Sequence, residues 1–181
     1  MERRVVSVGL VTIVSGFMLA WTAPAFAGQT NLPSLGIRSG FSTGHNQHSF
    51  HQTELFAGWS PTIWHLGSNW TLRPRLELTA GYLVNHGLDG FVGTCGPGVH
   101  LQYREVPVRL DLGVRPTILT RDRFESRSFG LQFQITSHAG VEWEFIPRWT
   151  LGYRFQHMSN SGLSSSNPGL NMHLFGVGYQ F

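Results

Sequence analysis

Apolar and polar residues alternate along several long stretches of this chain. In the clearest of them, Leu72 to Val84, every second residue is apolar and the residues between include Arg73, Arg75 and Glu77. A period of two places alternate side chains on opposite faces of a β-strand, so this stretch predicts a strand with an apolar face and a charged face. A soluble sandwich would bury the apolar face against a second sheet, whereas a membrane barrel would turn it towards lipid and enclose the charges. This strand taken alone fits both architectures.

The alternation recurs often enough to predict eight strands. They run over about 36–43, 50–59, 72–84, 91–103, 106–118, 129–144, 149–157 and 171–181. Tilted strands of about 9 to 15 residues can cross a bilayer, and single-chain bacterial barrels use an even number of them. We therefore predict an all-β fold, an eight-stranded antiparallel transmembrane β-barrel. Isolated buried charges are very costly, so we expect a paired network in the lumen, with Arg73, Arg75, Glu77, Arg109, Asp111 and Arg115 as its candidates.

The start of the chain predicts export. Arg3 and Arg4 precede an apolar run, which ends near an A-x-A cleavage site at Ala25–Ala27. This pattern predicts a signal peptide over residues 1–27 and a barrel domain over 28–181. No later stretch has the 18 or so uninterrupted apolar residues that a membrane helix requires.

Composition favours the barrel further. The chain has 22 glycines, 13% aromatic residues and only 13% charged residues, which suits strands with one lipid-facing and one polar face. The formal net charge of +3 is modest. A chain in the bacterial outer membrane would meet no nucleic acid, so we interpret the arginines as lumen pairs or as contacts to lipid phosphates.

Several polar groups lie in the predicted loops. If both ends of the chain face the periplasm, the outward loops lie near His45, Asn85, Arg121 and Ser161. The loop of Arg121, Arg123 and Arg127 is the most charged, and we interpret it either as a phosphate-binding rim or as a solvated loop.

His45, His48 and His51 show no fixed ligand spacing, so we predict no metal and no cofactor.

Two polar residues interrupt the apolar face of the seventh strand. The apolar residues from Trp149 to Phe155 alternate with polar or small ones, and the same period places His157 and Ser159 on the apolar face. Residues two apart on a strand are about 6.6 Å apart with side chains leaning the same way, so the imidazole can reach the hydroxyl as a base. If the next strand pairs with this one, Asn171 lies on the same surface. Alternatively, serine and asparagine are here because they cap and turn the chain.

The motif resembles one known family. The run of His157, Ser159, Asn160, Gly162 and Leu163, with Asn167 and Gly169 before the last strand, resembles the outer-membrane lipid A 3-O-deacylases, or PagL family. The resemblance implies a barrel that removes an ester-linked hydroxyacyl chain from lipid A. It implies His157 as general base and Ser159 as nucleophile, with Asn160, Gly162 and Asn167 near the oxyanion. Where the best-known members have a glutamate that completes the triad, this chain has Asn171, and Glu125 is the next candidate for that role.

The resemblance therefore implies a lipid A esterase embedded in the outer membrane. The terminal Phe181, with apolar residues at every second position before it, resembles the signal that the outer-membrane assembly machinery reads. A non-catalytic structural or adhesive barrel is the alternative, and a pore is a third, although side chains fill an eight-stranded lumen. The sequence leaves open a homodimer and the identity of the acyl chain.

Overall fold

Strands account for most of the chain. The computed structural model describes residues 32–43, 50–125 and 127–181, so the predicted leader at 1–27 and the loop residues His45 and His48 lie outside the described residues. The strands are β1 (Leu32–Ser42), β2 (Phe50–Ser60), β3 (Trp64–Leu66), β4 (Trp70–Asn85), β5 (Leu88–Tyr103), β6 (Val108–Leu119), β7 (Arg123–Phe124), β8 (Arg127–Ser128), β9 (Phe133–Ile146), β10 (Trp149–Ser159) and β11 (Leu170–Gln180). No helix able to span a membrane occurs within these ranges.

Eight of these strands close into a barrel. The neighbour order is β2, β1, β11, β10, β9, β6, β5 and β4, and β4 pairs back with β2, with every pair antiparallel. Closure leaves the barrel no unpaired edge, which a backbone surrounded by lipid requires. Of the short strands, β3 pairs with the start of β4, and β7 pairs with β8 in a small hairpin. The predicted eight-stranded antiparallel barrel is confirmed.

The predicted alternation separates the two faces of the wall. In β4 the side chains of Leu76, Leu78 and Tyr82 are exposed, whereas Arg75 and Glu77 are buried. Exposed apolar side chains continue around the other strands. Such a surface belongs against lipid, and a soluble sandwich with a dry core between two sheets is excluded.

Tryptophans mark one rim of the barrel. They lie at the end of the barrel where β1 begins and β11 ends. The exposed tryptophans at this end are Trp59, Trp64, Trp70, Trp143 and Trp149. Amphipathic rings favour the boundary between lipid and water, so this rim is an aromatic belt. The opposite rim, which carries the long connections 120–132 and 160–169, is called the cap end below.

Glu77 is the centre of a lumen network of charges. Its carboxylate is fully buried and pairs with the guanidinium groups of Arg38 on β1, Arg75 on β4, Arg115 on β6 and Arg154 on β10. The nitrogen–oxygen distances are 2.5 Å to Arg115, 2.7 Å to Arg38 and Arg75, and 3.0 Å to Arg154. Because these arginines come from β1, β4, β6 and β10, one carboxylate links four of the eight barrel strands.

Three other carboxylates complete the network. Glu54 pairs with Arg38 at 2.8 Å, Asp111 pairs with Arg154 at 2.6 Å, and Glu142 pairs with Arg109 at 2.7 Å. The predicted lumen residues Arg75, Glu77, Arg109, Asp111 and Arg115 are therefore confirmed. Arg73 differs from the prediction because its side chain is only half-buried.

The lumen also holds a group of metal-ligand types. His100, Asp111 and Glu142 place one possible ligand atom each within 4.8 Å of one another. Both carboxylates already accept hydrogen bonds from arginines, and those positive charges would oppose a cation at the same place. We therefore assign these three side chains to the lumen network.

An apolar cluster fills the lumen at the cap end. The rings of Phe124 and Phe129 pack on Phe50 with centroids 5.3 and 5.8 Å away. The cluster is completed by Leu83, Val92, Leu119, Met158, Leu170, Met172 and Leu174. The expectation that the sixth barrel strand begins at Phe129 is wrong, because Phe129 is buried in the cap and β9 begins at Phe133.

One connection is shorter than the sequence suggests. Asn85 pairs directly with Leu88, so the predicted loop over 85–90 is a two-residue turn. His86 and Gly87 have φ angles of 48° and 80°, which is the conformation of a type I′ hairpin turn. This turn type matches the twist of the two strands and lets β4 and β5 pair along their full lengths.

Replacing Glu77 with alanine is expected to destabilise the barrel. The substitution leaves four guanidinium groups in the lumen without their shared partner, and breaking a buried ion pair costs about 3–5 kcal/mol. Urea-dependent folding into phospholipid vesicles, followed by gel mobility of unheated samples, measures the change. Glu105→Ala, in an exposed turn, serves as the control. Equal stability of Glu77→Ala and the parent would show that the network does not hold the barrel together.

Candidate active site

A histidine and an asparagine face each other on the outer wall of the barrel. The register of β10 and β11 places His157 directly opposite Asn171. His157 Nδ1 lies 2.7 Å from Asn171 Oδ1. Since the amide oxygen only accepts, Nδ1–H donates, and in the neutral form of the imidazole Nε2 is then the unprotonated ring nitrogen. This is the tautomer that a general base needs.

Ser159 lies on the same face as His157. It is the last residue of β10, two residues after the histidine, and it is half-buried beside β9, where it pairs with Ile135. Among the described residues, no hydrogen bond joins its hydroxyl to His157. Hydrogen bonds between catalytic groups are often long before substrate binds, and the shared face keeps the two side chains within reach.

Asn160 organises the loop that follows Ser159. Its side chain is buried, and Nδ2 donates to the carbonyl oxygens of Phe129 at 2.9 Å and Ser166 at 2.7 Å. Its Oδ1 accepts the backbone N–H of Gly162 at 3.0 Å. Both amide hydrogens of Asn160 are therefore used inside the loop, which ties it to the cap.

Asn167 closes the same loop from its other side. The backbone N–H of Asn160 donates to Asn167 Oδ1 at 3.0 Å. Asn167 is exposed, and within the part of the chain that the structure describes its Nδ2 has no hydrogen-bond partner. Of the three residues expected near the oxyanion, Asn167 has a side-chain donor still available, whereas Asn160 and Gly162 are engaged with each other.

Gly169 makes room for the histidine ring. It adopts a φ of 61°, and a Cβ atom there would come within 2.8 Å of His157 Cε1. A side chain at this position would push the imidazole away from Asn171. Gly169 belongs to the sequence motif, but its contact with His157 was not predicted.

The three loop arginines have different surroundings. Arg121 and Arg123 are exposed, and Arg121 Nε donates to the carbonyl oxygen of Asp89 at 2.8 Å. Arg127 is half-buried, and its Nη2 donates to the carbonyl oxygens of Pro168, at 3.1 Å, and Gly169. Burial lowers the pKa of the Arg127 guanidinium, although arginine starts so high that it stays charged.

Glu125 lies in the same connection as these arginines. It is exposed and adopts a φ of 40° beside the β7–β8 hairpin. The position opposite His157 Nδ1 is taken by Asn171. Among the described residues, no hydrogen bond or ion pair joins Glu125 to His157.

A second polar group lies on the lipid-facing wall below the histidine. The hydroxyl of Tyr153 is 2.7 Å from His173 Nδ1, and His173 Nε2 is 2.9 Å from the hydroxyl of Thr43. The His173 ring also packs near Phe41 and Phe155. This group was not predicted, although His173 shares the alternating face of Asn171. The wall beside the candidate site is thus polar as well as aromatic.

Comparison with known proteins gives a consistent result. Residues 50–180 match the family model described as lipid A 3-O-deacylase (PagL). The lipid A deacylase PagL of Bordetella bronchiseptica is 28% identical over 133 residues, which cover 67% of this chain and 72% of that protein.

Solved structures agree on the fold. The crystal structure of the outer membrane enzyme PagL superposes with a TM-score of 0.71 at 16% identity, covering 81% of this chain and 98% of that one. The N-terminal β-barrel domain of Pseudomonas aeruginosa OprF gives a TM-score of 0.56 at 14% identity, over 84% of this chain and 98% of that domain. These likenesses concern the barrel alone. The family match extends over most of the chain, from β2 to the end of β11, so the chain belongs to the lipid A 3-O-deacylase (PagL) family of outer-membrane ester hydrolases.

Proposed function

We propose that this protein hydrolyses an ester-linked hydroxyacyl chain of lipid A, with Ser159 as nucleophile and His157 as general base. The observation that carries the proposal is the hydrogen bond from His157 Nδ1–H to Asn171 Oδ1, on the outer wall beside Ser159. It leaves Nε2 as the base on the side of the ring away from Asn171. Lipid A from cells that express the chain should therefore lose one hydroxyacyl group, as measured by mass spectrometry.

The reaction proceeds in two halves. His157 Nε2 takes the proton of the Ser159 hydroxyl as Oγ attacks the ester carbonyl, and a tetrahedral oxyanion forms. The C–O bond to the sugar then breaks, the sugar oxygen takes the proton from His157, and the acyl group stays on Ser159. His157 then takes a proton from a water molecule as the water oxygen attacks the acyl-serine. The bond from the acyl carbon to Ser159 Oγ breaks, Oγ takes the proton back from His157, and the fatty acid is released.

The negative charge that develops on the oxyanion is stabilised by hydrogen-bond donors that are already in place before the reaction. The free Nδ2 of Asn167 is the side-chain donor that we assign to this role, together with backbone N–H groups of the loop 160–169. Asn160 contributes indirectly, because its buried amide holds the loop that carries Asn167. Gly162 shapes the same loop through its φ of 79°.

The substrate reaches this site from the membrane. Apolar and charged side chains fill the barrel interior, so a chain of lipid A does not pass through the lumen. On the outer wall, Phe155 and Phe175 are exposed on the same faces as His157 and Asn171. An acyl chain lying along β10 and β11 would contact these rings while its ester meets Ser159.

Alanine at Ser159 or His157 is expected to abolish deacylation. The first change removes the proposed nucleophile and the second removes the proposed base, and neither residue lies in the buried core. Mass spectrometry of lipid A and the gel mobility of unheated protein report activity and folding separately. Ser165→Ala, in the same loop, is the matched control with parental activity. A folded Ser159→Ala protein with parental activity would exclude this nucleophile and favour a non-catalytic role for the loop.

Two substitutions of Asn171 are expected to distinguish its role in orienting the His157 ring from the effect of a negative charge beside that ring. Alanine removes the acceptor that fixes the tautomer, so the rate should fall about 10- to 100-fold. Glutamate restores the acceptor and adds a negative charge that stabilises the imidazolium, so Asn171→Glu should match or exceed the parent. Initial rates on purified lipid A measure both. A silent Asn171→Ala would place the orienting group elsewhere, with Glu125 as the next residue to replace.

Arg121 and Arg123 are proposed to bind lipid A phosphate. Both are exposed at the cap end, and a guanidinium binds phosphate through two parallel hydrogen bonds. The double alanine variant should lose about tenfold of the preference for phosphorylated over dephosphorylated lipid A. Competition between the two lipids in one reaction measures that ratio. Unchanged selectivity would mean that the arginines serve only as a solvated, charged loop.

A further inference from the structure

Arg127 reaches from the cap to the backbone that leads into β11. Its Nη2 donates to the consecutive carbonyl oxygens of Pro168 and Gly169, across 41 and 42 residues of sequence. Its guanidinium also lies 5.9 Å from the ring of Phe50 and 5.8 Å from the ring of Phe129. Bonds to the loop on one side and rings on the other fix this side chain. A guanidinium held in this way is poorly placed to bind an incoming phosphate.

The backbone held by Arg127 touches the catalytic histidine. Gly169 packs so closely on His157 that a Cβ atom would meet the ring at 2.8 Å. Gly169 also stands two residues before Asn171, the partner of His157 Nδ1. Any movement of the Pro168–Gly169 backbone therefore changes the space for the imidazole and the start of the strand that carries its acceptor.

The cap holds the rest of the loop by neutral hydrogen bonds. Ser166 Oγ donates to the carbonyl oxygen of Ser128 at 3.0 Å, and Asn160 Nδ2 donates to that of Phe129. Arg127 adds the charge-assisted contacts, which are roughly twice as strong as neutral ones. They act at the end of the loop nearest to His157 and Asn171.

We propose that Arg127 is a positioning residue for catalysis, which holds the Pro168–Gly169 backbone so that His157 keeps its place against Asn171. The inference rests on the proposed role of His157 as base. Arg127 does not touch the reacting atoms in this role. It acts by restricting the loop, so its loss should reduce the chemical step more than the binding of lipid.

The experiment compares Arg127→Met and Arg127→Lys in full-length protein folded in lipid vesicles. Methionine keeps most of the volume but none of the donors, and kcat should fall about 10- to 100-fold with KM changed less than about twofold. Lysine restores a charged donor without the planar fork, so it should recover part of the lost kcat. Arg104→Met is the matched control. That arginine also bonds a loop residue, Asn69, and lies over a ring, Tyr103, but at the tryptophan rim, so its replacement should leave kcat unchanged.

A double variant tests whether Arg127 acts through the Gly169 backbone. Gly169→Ala crowds His157 directly. If Arg127 acts through the same backbone, the double variant Arg127→Met/Gly169→Ala should be little slower than either single variant. Gel mobility of unheated samples confirms that each barrel is folded.

The outcomes separate the possible roles. Unchanged kcat in folded Arg127→Met, or fully additive effects with Gly169→Ala, overturns the proposal. A raised KM for phosphorylated lipid A alone, with kcat kept, assigns Arg127 to phosphate binding instead. A parent protein that releases no fatty acid removes the proposed function itself, whereas an active parent with an indifferent Arg127→Met removes only this inference.

Discussion

One buried carboxylate makes the interior of this barrel possible. The described residues place five arginines and four carboxylates in the lumen as buried side chains. The Glu77 carboxylate forms ion pairs with four of these arginines, which lie on β1, β4, β6 and β10. Without it, four buried guanidinium groups would lose the carboxylate that they share. The network explains why a narrow barrel can hide so much charge and still present an apolar wall to lipid.

The site on the outer wall depends on that rigid interior. Antiparallel pairing of β10 with β11 sets His157 opposite Asn171, and the alternation that turns these residues outward turns Met158, Leu170 and Met172 inward. Those three side chains pack in the apolar cluster under the cap. The candidate site is therefore anchored from behind by buried hydrophobic contacts, while its polar groups face the lipid. A loop held to the cap by Asn160 and Arg127 completes the arrangement.

Much of this architecture could be predicted from the sequence because a period of two is a local signal. The alternation in β4 and β6 identified the strands, their lipid-facing sides and most of the lumen charges. Phe129 was misplaced because an apolar residue under a cap and one facing lipid have the same chemistry, and only three-dimensional packing distinguishes them. The two-residue turn at His86 and Gly87 was predicted as a longer loop. Several turn-forming residues follow one another there, and their order does not show which two form the turn.

The candidate site was only partly visible in the sequence. The pairing of His157 with Asn171 could be predicted, because the alternation on two neighbouring strands places both residues on the same face. The contacts of Arg127 join residues 41 and 42 positions apart, and an arginine in a charged loop gives no sign of which backbone it will hold. The buried, fully bonded state of Asn160 was equally hidden, because an asparagine in a loop is usually exposed.

The asparagine at 171 can be understood from its surroundings. The residue is half-buried on a wall whose neighbours include Phe155 and the ring of His173, so a carboxylate there would be partly removed from water. Ionised groups facing hydrocarbon are costly unless they are paired with an opposite charge. A neutral amide supplies the same acceptor for Nδ1–H without that cost, but in the proposed mechanism it would not stabilise the imidazolium form of His157. With His157 as the proposed base, the site would gain a stable resting geometry at the expense of rate, and close packing of Gly169 on the His157 ring would matter more than in a site with a carboxylate.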